Sequence, residues 1–173
     1  IGNTYTISGE IWLTYQQTNR NQKFFQDATA GILIDDFDGI ITSDFEIGDG
    51  ITGLSGVLGE YGGMLQFVPD TDQGDPTSSG NFPTPQVVTI GELFTNFEMY
   101  ESELVKIESA IFADGGSTFA TGQVYPISDE SDATGNFRTS FYDAGYMGTT
   151  IPVVPTDIIG LPNSRTDGEY ITA

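Results

Sequence analysis

Apolar residues recur at every second position in several short segments of the chain. In the first segment, Trp12 lies on one face and the opposite, apolar face carries Tyr5, Ile7, Ile11, Leu13 and Tyr15. This alternation is typical of a half-buried β-strand. The segments are rich in Ile, Val, Thr, Phe and Tyr, and 22 Gly and 8 Pro punctuate the chain. The pattern therefore predicts an all-β protein.

One stretch has helical spacing instead. Thr89 is followed three residues later by Glu92, which is the pattern of a helix capping box, and Leu93, Phe94, Phe97 and Tyr100 then recur at helical intervals. Before it, residues 69–86 contain several Pro, Gly, Ser and Thr and predict a linker. The chain is therefore predicted to divide around residues 70–100.

The two sides of that division are alike. Asp27 followed by Gly31 matches Asp129 followed by Gly135, and further glycines match in pairs: Gly56 with Gly160, and Gly63 with Gly168. Each half offers five short strands in the same order, which is the content of an OB-fold barrel. We predict two tandem OB-fold-like five-stranded barrels with one short connecting helix: residues 1–69 and 102–173 form the barrels, and residues 70–101 form the linker and helix.

The segments 88–93, 100–109, 137–141, 148–152 and 168–172 resemble the OB-like modules of secreted and cell-surface proteins of the Bacteroidota, which are also attached to some extracellular nucleases. The resemblance covers most of the chain. It implies the OB fold and an extracellular or cell-surface location. The chain begins at Ile1 rather than Met, which fits a mature protein whose signal peptide has been removed.

Charge and composition exclude several classes of partner and of catalytic site. With 25 acidic against 5 basic residues, the formal net charge is −20, so we expect neither duplex DNA nor an anionic membrane as a partner. No apolar run is long enough to insert into a membrane. The absence of His and Cys excludes a Ser-His-Asp triad, a thiol nucleophile and an ordinary zinc site. No carboxylate pair of a glycosidase can be nominated, so we predict no enzyme and no required cofactor.

Two patterns that resemble known motifs give little information about function. The glycines at 48, 50 and 53 match G-x-G-x-x-G, but a strand rather than a helix follows them, so they predict barrel bends. The acidic clusters allow two readings. One is a Ca²⁺ site, for which the candidate ligands are Asp35, Asp36, Asp38, Asp70, Asp72 and Asp75; the other, favoured reading is a solvated loop. The same two readings, a Ca²⁺ site or a solvated loop, apply to a third cluster, which consists of Asp129, Glu130 and Asp132.

The sequence-based hypothesis for function is a non-catalytic extracellular structural protein that self-assembles head to tail, as a filament or surface layer, through strand edges and termini. The interface candidates are Ile1, Tyr5, Ile7, Trp12 and Tyr170. The alternative is a module of a larger secreted protein that binds a glycan or another surface protein, with Trp12, Tyr15, Tyr61 and Tyr142 as candidate contacts.

Overall fold

A computed structural model describes residues 1–173 and divides them into two compact units, Ile1–Thr84 and Pro85–Ala173. The boundary lies later than the predicted end of the first barrel at residue 69. The reason is that the first part of the Pro-rich segment is bonded to the first unit. The Thr77 amide donates to the Gly50 carbonyl at 2.8 Å, and the Ser78 hydroxyl donates to Glu10 at 2.7 Å. This segment is therefore part of the first unit's hydrogen-bonded structure.

The first unit is a closed barrel of five strands in the order β1-β2-β3-β5-β4. β4 pairs with β1 and closes the ring, and β3 and β5 are parallel. The strands are β1 (Thr4–Gln16), β2 (Lys23–Gln26), β3 (Gly31–Ile34), β4 (Gly50–Tyr61) and β5 (Met64–Pro69).

The second unit repeats this arrangement. Its five-stranded ring has the order β7-β8-β9-β11-β10, β10 pairs with β7, and β9 and β11 are parallel. β6 adds to the outside of β7. The strands are β6 (Gln86–Val87), β7 (Val105–Phe112), β8 (Val124–Ser128), β9 (Thr134–Arg138), β10 (Thr156–Arg165) and β11 (Gly168–Thr172). The prediction of two tandem OB-like five-stranded barrels is confirmed.

The internal repeat extends to single hydrogen bonds. In the β2–β3 turn, the Asp27 carboxylate accepts from the Thr29 amide at 2.6 Å and from the Thr29 hydroxyl at 2.7 Å. In the β8–β9 turn, Asp129 accepts from the amide and hydroxyl of Ser131 in the same way. An Asp side chain that bonds the backbone two residues on stabilises a tight turn. The same hydrogen bonds from the backbone to an Asp side chain therefore shape the turns of both hairpins.

Gly56 and Gly160 mark a close approach between the fourth and fifth strands of each barrel. A Cβ on Gly56 would lie 2.3 Å from the Val68 carbonyl oxygen, and one on Gly160 would lie 2.4 Å from the Thr172 carbonyl oxygen. No real Cβ is found this close to an oxygen of the backbone, so only glycine fits at these positions.

Each barrel encloses its own core. The first core contains nine buried apolar residues from the strands and the β3–β4 connection: Ile11, Leu13, Phe25, Ile34, Ile41, Phe45, Ile51, Leu54 and Phe67. The second is larger and includes helix residues such as Ile90 and Leu93, together with packed rings such as Phe112, Phe119 and Phe137. The second barrel is therefore stabilised by aromatic packing as well as by aliphatic burial.

The predicted helix is divided into α1 (Ile90–Thr95) and α2 (Phe97–Tyr100) at Asn96, whose backbone is not helical. Thr89 caps α1 as predicted, because its hydroxyl accepts from the Glu92 amide at 3.1 Å. The Glu92 carboxylate accepts instead from the Tyr100 hydroxyl at 2.7 Å. Asp129 supplies a second cap by accepting from the Ile90 amide at 2.6 Å. The helices therefore belong to the second barrel.

Closure of both rings gives every barrel strand two neighbouring strands. The N-terminal residues also pair within their own barrel, since the Gly2 amide donates to the Leu58 carbonyl at 2.7 Å. The last strand, β11, lies between β10 and β9. The two-residue β6 forms the outer edge of the second sheet. Neither helix has the length or hydropathy of a membrane span.

A candidate recognition face on the first barrel

Three connections of the first barrel lie near one another, since Arg20 bonds to Asp35, Asn21 donates to the Asp36 carbonyl, and Tyr61 contributes to the raised pKa of Arg20. They are the β1–β2 loop (residues 17–22), the turn after β3 (residues 36–39) and the β4–β5 hairpin turn (residues 62–63). In OB folds, the face of strands 2 and 3 and the loops that join strands 1–2 and 4–5 bind ligands. This end is therefore where the fold places a candidate site.

Arg20 extends from the β1–β2 loop towards the end of β3. Its Nε donates to Asp35 Oδ1 at 2.8 Å, and its Nη2 donates to Asp35 Oδ2. Gln22 adds a third bond to the same carboxylate at 3.3 Å. The Asp35 side chain is 5% exposed, whereas that of Arg20 is 45% exposed. The pair thus fixes a half-exposed guanidinium in a bidentate geometry.

The turn after β3 projects an aromatic ring into solvent. Asp36 is buried and its carboxylate accepts from the Ile40 amide at 2.7 Å and from the Ile41 amide at 3.2 Å. Gly39, with a φ of +67°, completes the turn that these bonds hold. The ring of Phe37 is left 63% exposed, and the Arg20 guanidinium lies 4.6 Å from its centroid. A fixed turn therefore presents this ring beside a fixed cation.

The β4–β5 hairpin supplies a second exposed ring. Gly62 and Gly63 both have positive φ, +67° and +92°, which is the requirement of a two-residue type I′ turn. Tyr61 directly precedes the turn and is 71% exposed. Arg20, Phe37, Asp38, Glu60 and Tyr61 are hereafter called the loop face.

The charges at the loop face are coupled. The pKa of Arg20 is raised, first by its hydrogen bond to Asp35 and then by nearby ionisable groups that include Tyr61 and Asp38. Burial lowers the pKa of Lys23, and Asp36, whose Oδ2 lies 3.7 Å from the Lys23 ammonium, opposes this shift. Both basic residues of the first unit thus lie here, and each is matched by a buried carboxylate.

At the corresponding end of the second barrel, Arg138 pairs with residues of the neighbouring strand and turn. Arg138, at the end of β9, donates to Asp167 in the β10–β11 turn at 3.0 Å, and its guanidinium lies 5.0 Å from the Tyr170 ring centroid. The Arg138 side chain is 15% exposed and Tyr170 is buried. The hydrogen bond from Arg138 lowers the pKa of Asp167. The second barrel therefore has the same pairing chemistry, with a less exposed guanidinium and a buried Tyr170 ring.

The β1–β2 loop carries backbone strain at Arg20, which has a φ of +56° although it is not glycine. The left-handed conformation costs a non-glycine residue about 1–2 kcal/mol. Arg20→Gly and Arg20→Ala both remove the pair with Asp35, but only alanine keeps the strain. We expect Arg20→Ala to have a free energy of unfolding about 1 kcal/mol below that of Arg20→Gly in urea denaturation. Equal stabilities would show that the loop relaxes without Arg20.

The predicted interface residues are dispersed through the structure. Ile1 is 69% and Tyr5 47% exposed, Ile7 packs against the first core, and Tyr170 is buried in the second barrel. Trp12 is half-buried and its indole N–H donates to Glu10 at 3.2 Å. The structure does not gather these residues into one surface within either unit.

Four of the six candidate metal ligands have other partners for their carboxylates. Asp35 and Asp36 bind the basic residues and amides described above, Asp72 accepts from the Thr42 hydroxyl, and Asp75 accepts from the Ser43 hydroxyl at 3.2 Å. Asp38 is exposed in the turn after β3, and the Asp70 amide donates to the Ser55 carbonyl. No three carboxylates lie together as a metal site would require. Calcium binding stays a prediction without a structural site.

Sequence reasoning named only part of the loop face. Tyr61 was a candidate contact and Asp38 a candidate ligand, whereas Arg20, Phe37 and Glu60 were missed. The available signal was the β-turn Asp36-Phe37-Asp38-Gly39, which predicts an aromatic residue at a turn position. Tyr142, another candidate contact, is 45% exposed after β9.

No family model matches the chain, and no curated protein matches it. Among solved structures, it is similar to the HINb domain of p204, with 13% identity, a TM-score of 0.44, and coverage of 100% of this chain and 95% of that one. It is also similar to the HIN2 domain of tetrameric p202, with 12% identity, a TM-score of 0.37, and coverage of 100% and 90%.

These neighbours correct two predictions. They are HIN domains, neither extracellular structural modules nor glycan-binding modules, so the predicted self-assembling structural function and its glycan-binding alternative are wrong. The exclusion of duplex DNA as a partner is contradicted by the same neighbours. That exclusion used the net charge of the whole chain, and net charge does not describe the charge of any one face.

Proposed function

We propose that the chain is a non-enzymatic binding module and that the loop face of its first barrel is the recognition surface. The exposure of two aromatic rings, Phe37 and Tyr61, at the ligand-binding end of an OB barrel carries this proposal. Exposed large rings are costly in water, and recognition surfaces are enriched in them. The extracellular location remains a proposal that follows from the resemblance to secreted OB modules.

The local structure supports recognition rather than catalysis. The buried carboxylates Asp35 and Asp36 are occupied by hydrogen bonds that hold the loop and the turn in place. Rigid elements that present exposed rings reduce the entropy lost on binding. The loop face is therefore pre-organised for a partner that stacks on Phe37 and Tyr61.

A panel of fluorescently labelled probes tests this function: an oligoarginine peptide, a single-stranded oligonucleotide and a DNA duplex. We expect at least one probe to bind the full chain in an anisotropy titration at physiological ionic strength. The double substitution Phe37→Ala with Tyr61→Ala should weaken that binding about tenfold or more, because it removes both rings.

Phe82→Ala is the matched control, since Phe82 is 72% exposed in the same unit but does not belong to the loop face. Its affinity should equal that of the wild type. Binding of no probe, or equal losses in the control and the double variant, would contradict the proposed recognition surface.

A further inference from the structure

We infer that the partner of the loop face is a cationic polypeptide segment whose arginine side chains stack on Phe37 and Tyr61. This inference rests on the proposed function and names the chemical class of its ligand. Three properties of the first unit support it: the cation–π contact at Phe37, the exposed carboxylates Asp38 and Glu60, which make no ion pair, and the net charge of the unit.

Phe37 already binds a guanidinium. The Arg20 guanidinium, 4.6 Å from the ring centroid, is a cation–π contact within the chain. Since the ring keeps 63% of its surface exposed, it has room for a second planar cation. Arg20 does not repel such a cation strongly, because the bidentate bond to Asp35 neutralises its charge.

An exposed carboxylate is adjacent to each ring in the sequence. Asp38 follows Phe37 and Glu60 precedes Tyr61, and both are exposed. Neither takes part in any ion pair of the chain. A guanidinium that stacks on Phe37, beside the exposed Asp38 carboxylate, gains a charge-assisted hydrogen bond.

The net charge of the first unit also favours a cationic partner, and it acts over a longer range than the single contacts do. The first unit has twelve acidic and two basic residues, a formal charge of −10. Such a field accelerates association with a cation. Lysine would gain from the field, but only arginine has the planar group that stacks on a ring.

The test compares oligoarginine with oligolysine of equal length on the full chain, at physiological ionic strength, where exposed charges are screened beyond about 8 Å. We expect oligoarginine to bind about tenfold more tightly than oligolysine. Substitution of Phe37 and Tyr61 by alanine should remove this preference and leave a weak, equal affinity for both peptides. Substitution of Asp38 and Glu60 by Asn and Gln should weaken both peptides by about threefold or more.

The outcomes separate the two proposals. If a nucleic acid, single-stranded or duplex, binds with dependence on Phe37 and Tyr61 while oligoarginine shows none, the cationic partner is overturned and the recognition surface stands. If oligoarginine binds but all variants retain its affinity, charge alone attracts it and the inference is overturned. If no probe depends on the two rings, both proposals fail. Circular dichroism of each variant ensures that only folded protein is compared.

Discussion

Asp36→Ala should lower the free energy of unfolding of the first unit by about 3–5 kcal/mol, because it leaves a buried charge without its partner. Asp36 is 1% exposed, and Lys23, which faces it, is 8% exposed. The substitution also removes the acceptor for the Ile40 and Ile41 amides, which hold the turn after β3. Urea denaturation with a probe in the first unit, such as Trp12 fluorescence, measures the loss.

The loss should depend on pH. Burial lowers the pKa of Lys23 below its ordinary value of 10.5, and removal of Asp36 takes away the group that opposes this shift. In the variant, the folded state therefore binds the lysine proton less readily than the unfolded chain does. The free energy of unfolding should rise as the pH passes through the lowered pKa of the folded state, and recovery should be complete only above 10.5, where the lysine is neutral in both states.

Asp38→Ala is the matched control, two residues away in the same turn. Its carboxylate is exposed and makes no ion pair, so its removal should change the free energy of unfolding by less than about 0.5 kcal/mol. Similar losses from Asp36→Ala and Asp38→Ala would show that the buried pair does not stabilise the unit as described.

Gly56→Ala should destabilise the first unit by about 3 kcal/mol. The added Cβ would lie 2.3 Å from the Val68 carbonyl oxygen and 2.6 Å from the Phe67 ring, so strands β4 and β5 must separate. The same strand offers a control, Gly59→Ala, whose Cβ would meet nothing closer than 3.9 Å. We expect Gly59→Ala to be neutral within about 0.5 kcal/mol, and thermal unfolding of the two variants compares them. A Gly56→Ala variant as stable as Gly59→Ala would contradict the close strand approach.

Patterns with a short range predicted the fold well. The alternation in β1 and the cap at Thr89 depend on neighbouring residues. Together with the glycines that match between the two halves, they sufficed to predict two barrels with the same strand order. The course of residues 70–84 was not predictable in this way. Pro and Ser suggested a linker, but Ser78 and its neighbours bond to Glu10 and Gly50, far away in the sequence.

The candidate site depended on the same long-range contacts. A run of acidic residues at 35–38 looks uniform in the sequence, yet Asp35 and Asp36 are buried and paired, whereas Asp38 is exposed. The partners, Arg20 and Lys23, come from a different loop and strand. Because pairing distinguishes these carboxylates and sequence does not, the sequence left a solvated loop and a metal site as alternatives and did not reveal the loop face.

Backbone amide shifts of the full chain, titrated with oligoarginine at physiological ionic strength, test the recognition surface most directly. The predicted result is a set of shifts confined to residues 17–22, 36–39 and 60–64, which surround Arg20, Phe37 and Tyr61. These shifts should disappear in the variant that lacks both rings. Shifts spread over the acidic loops of both units, or concentrated in residues 85–173, would contradict a recognition surface on the first barrel.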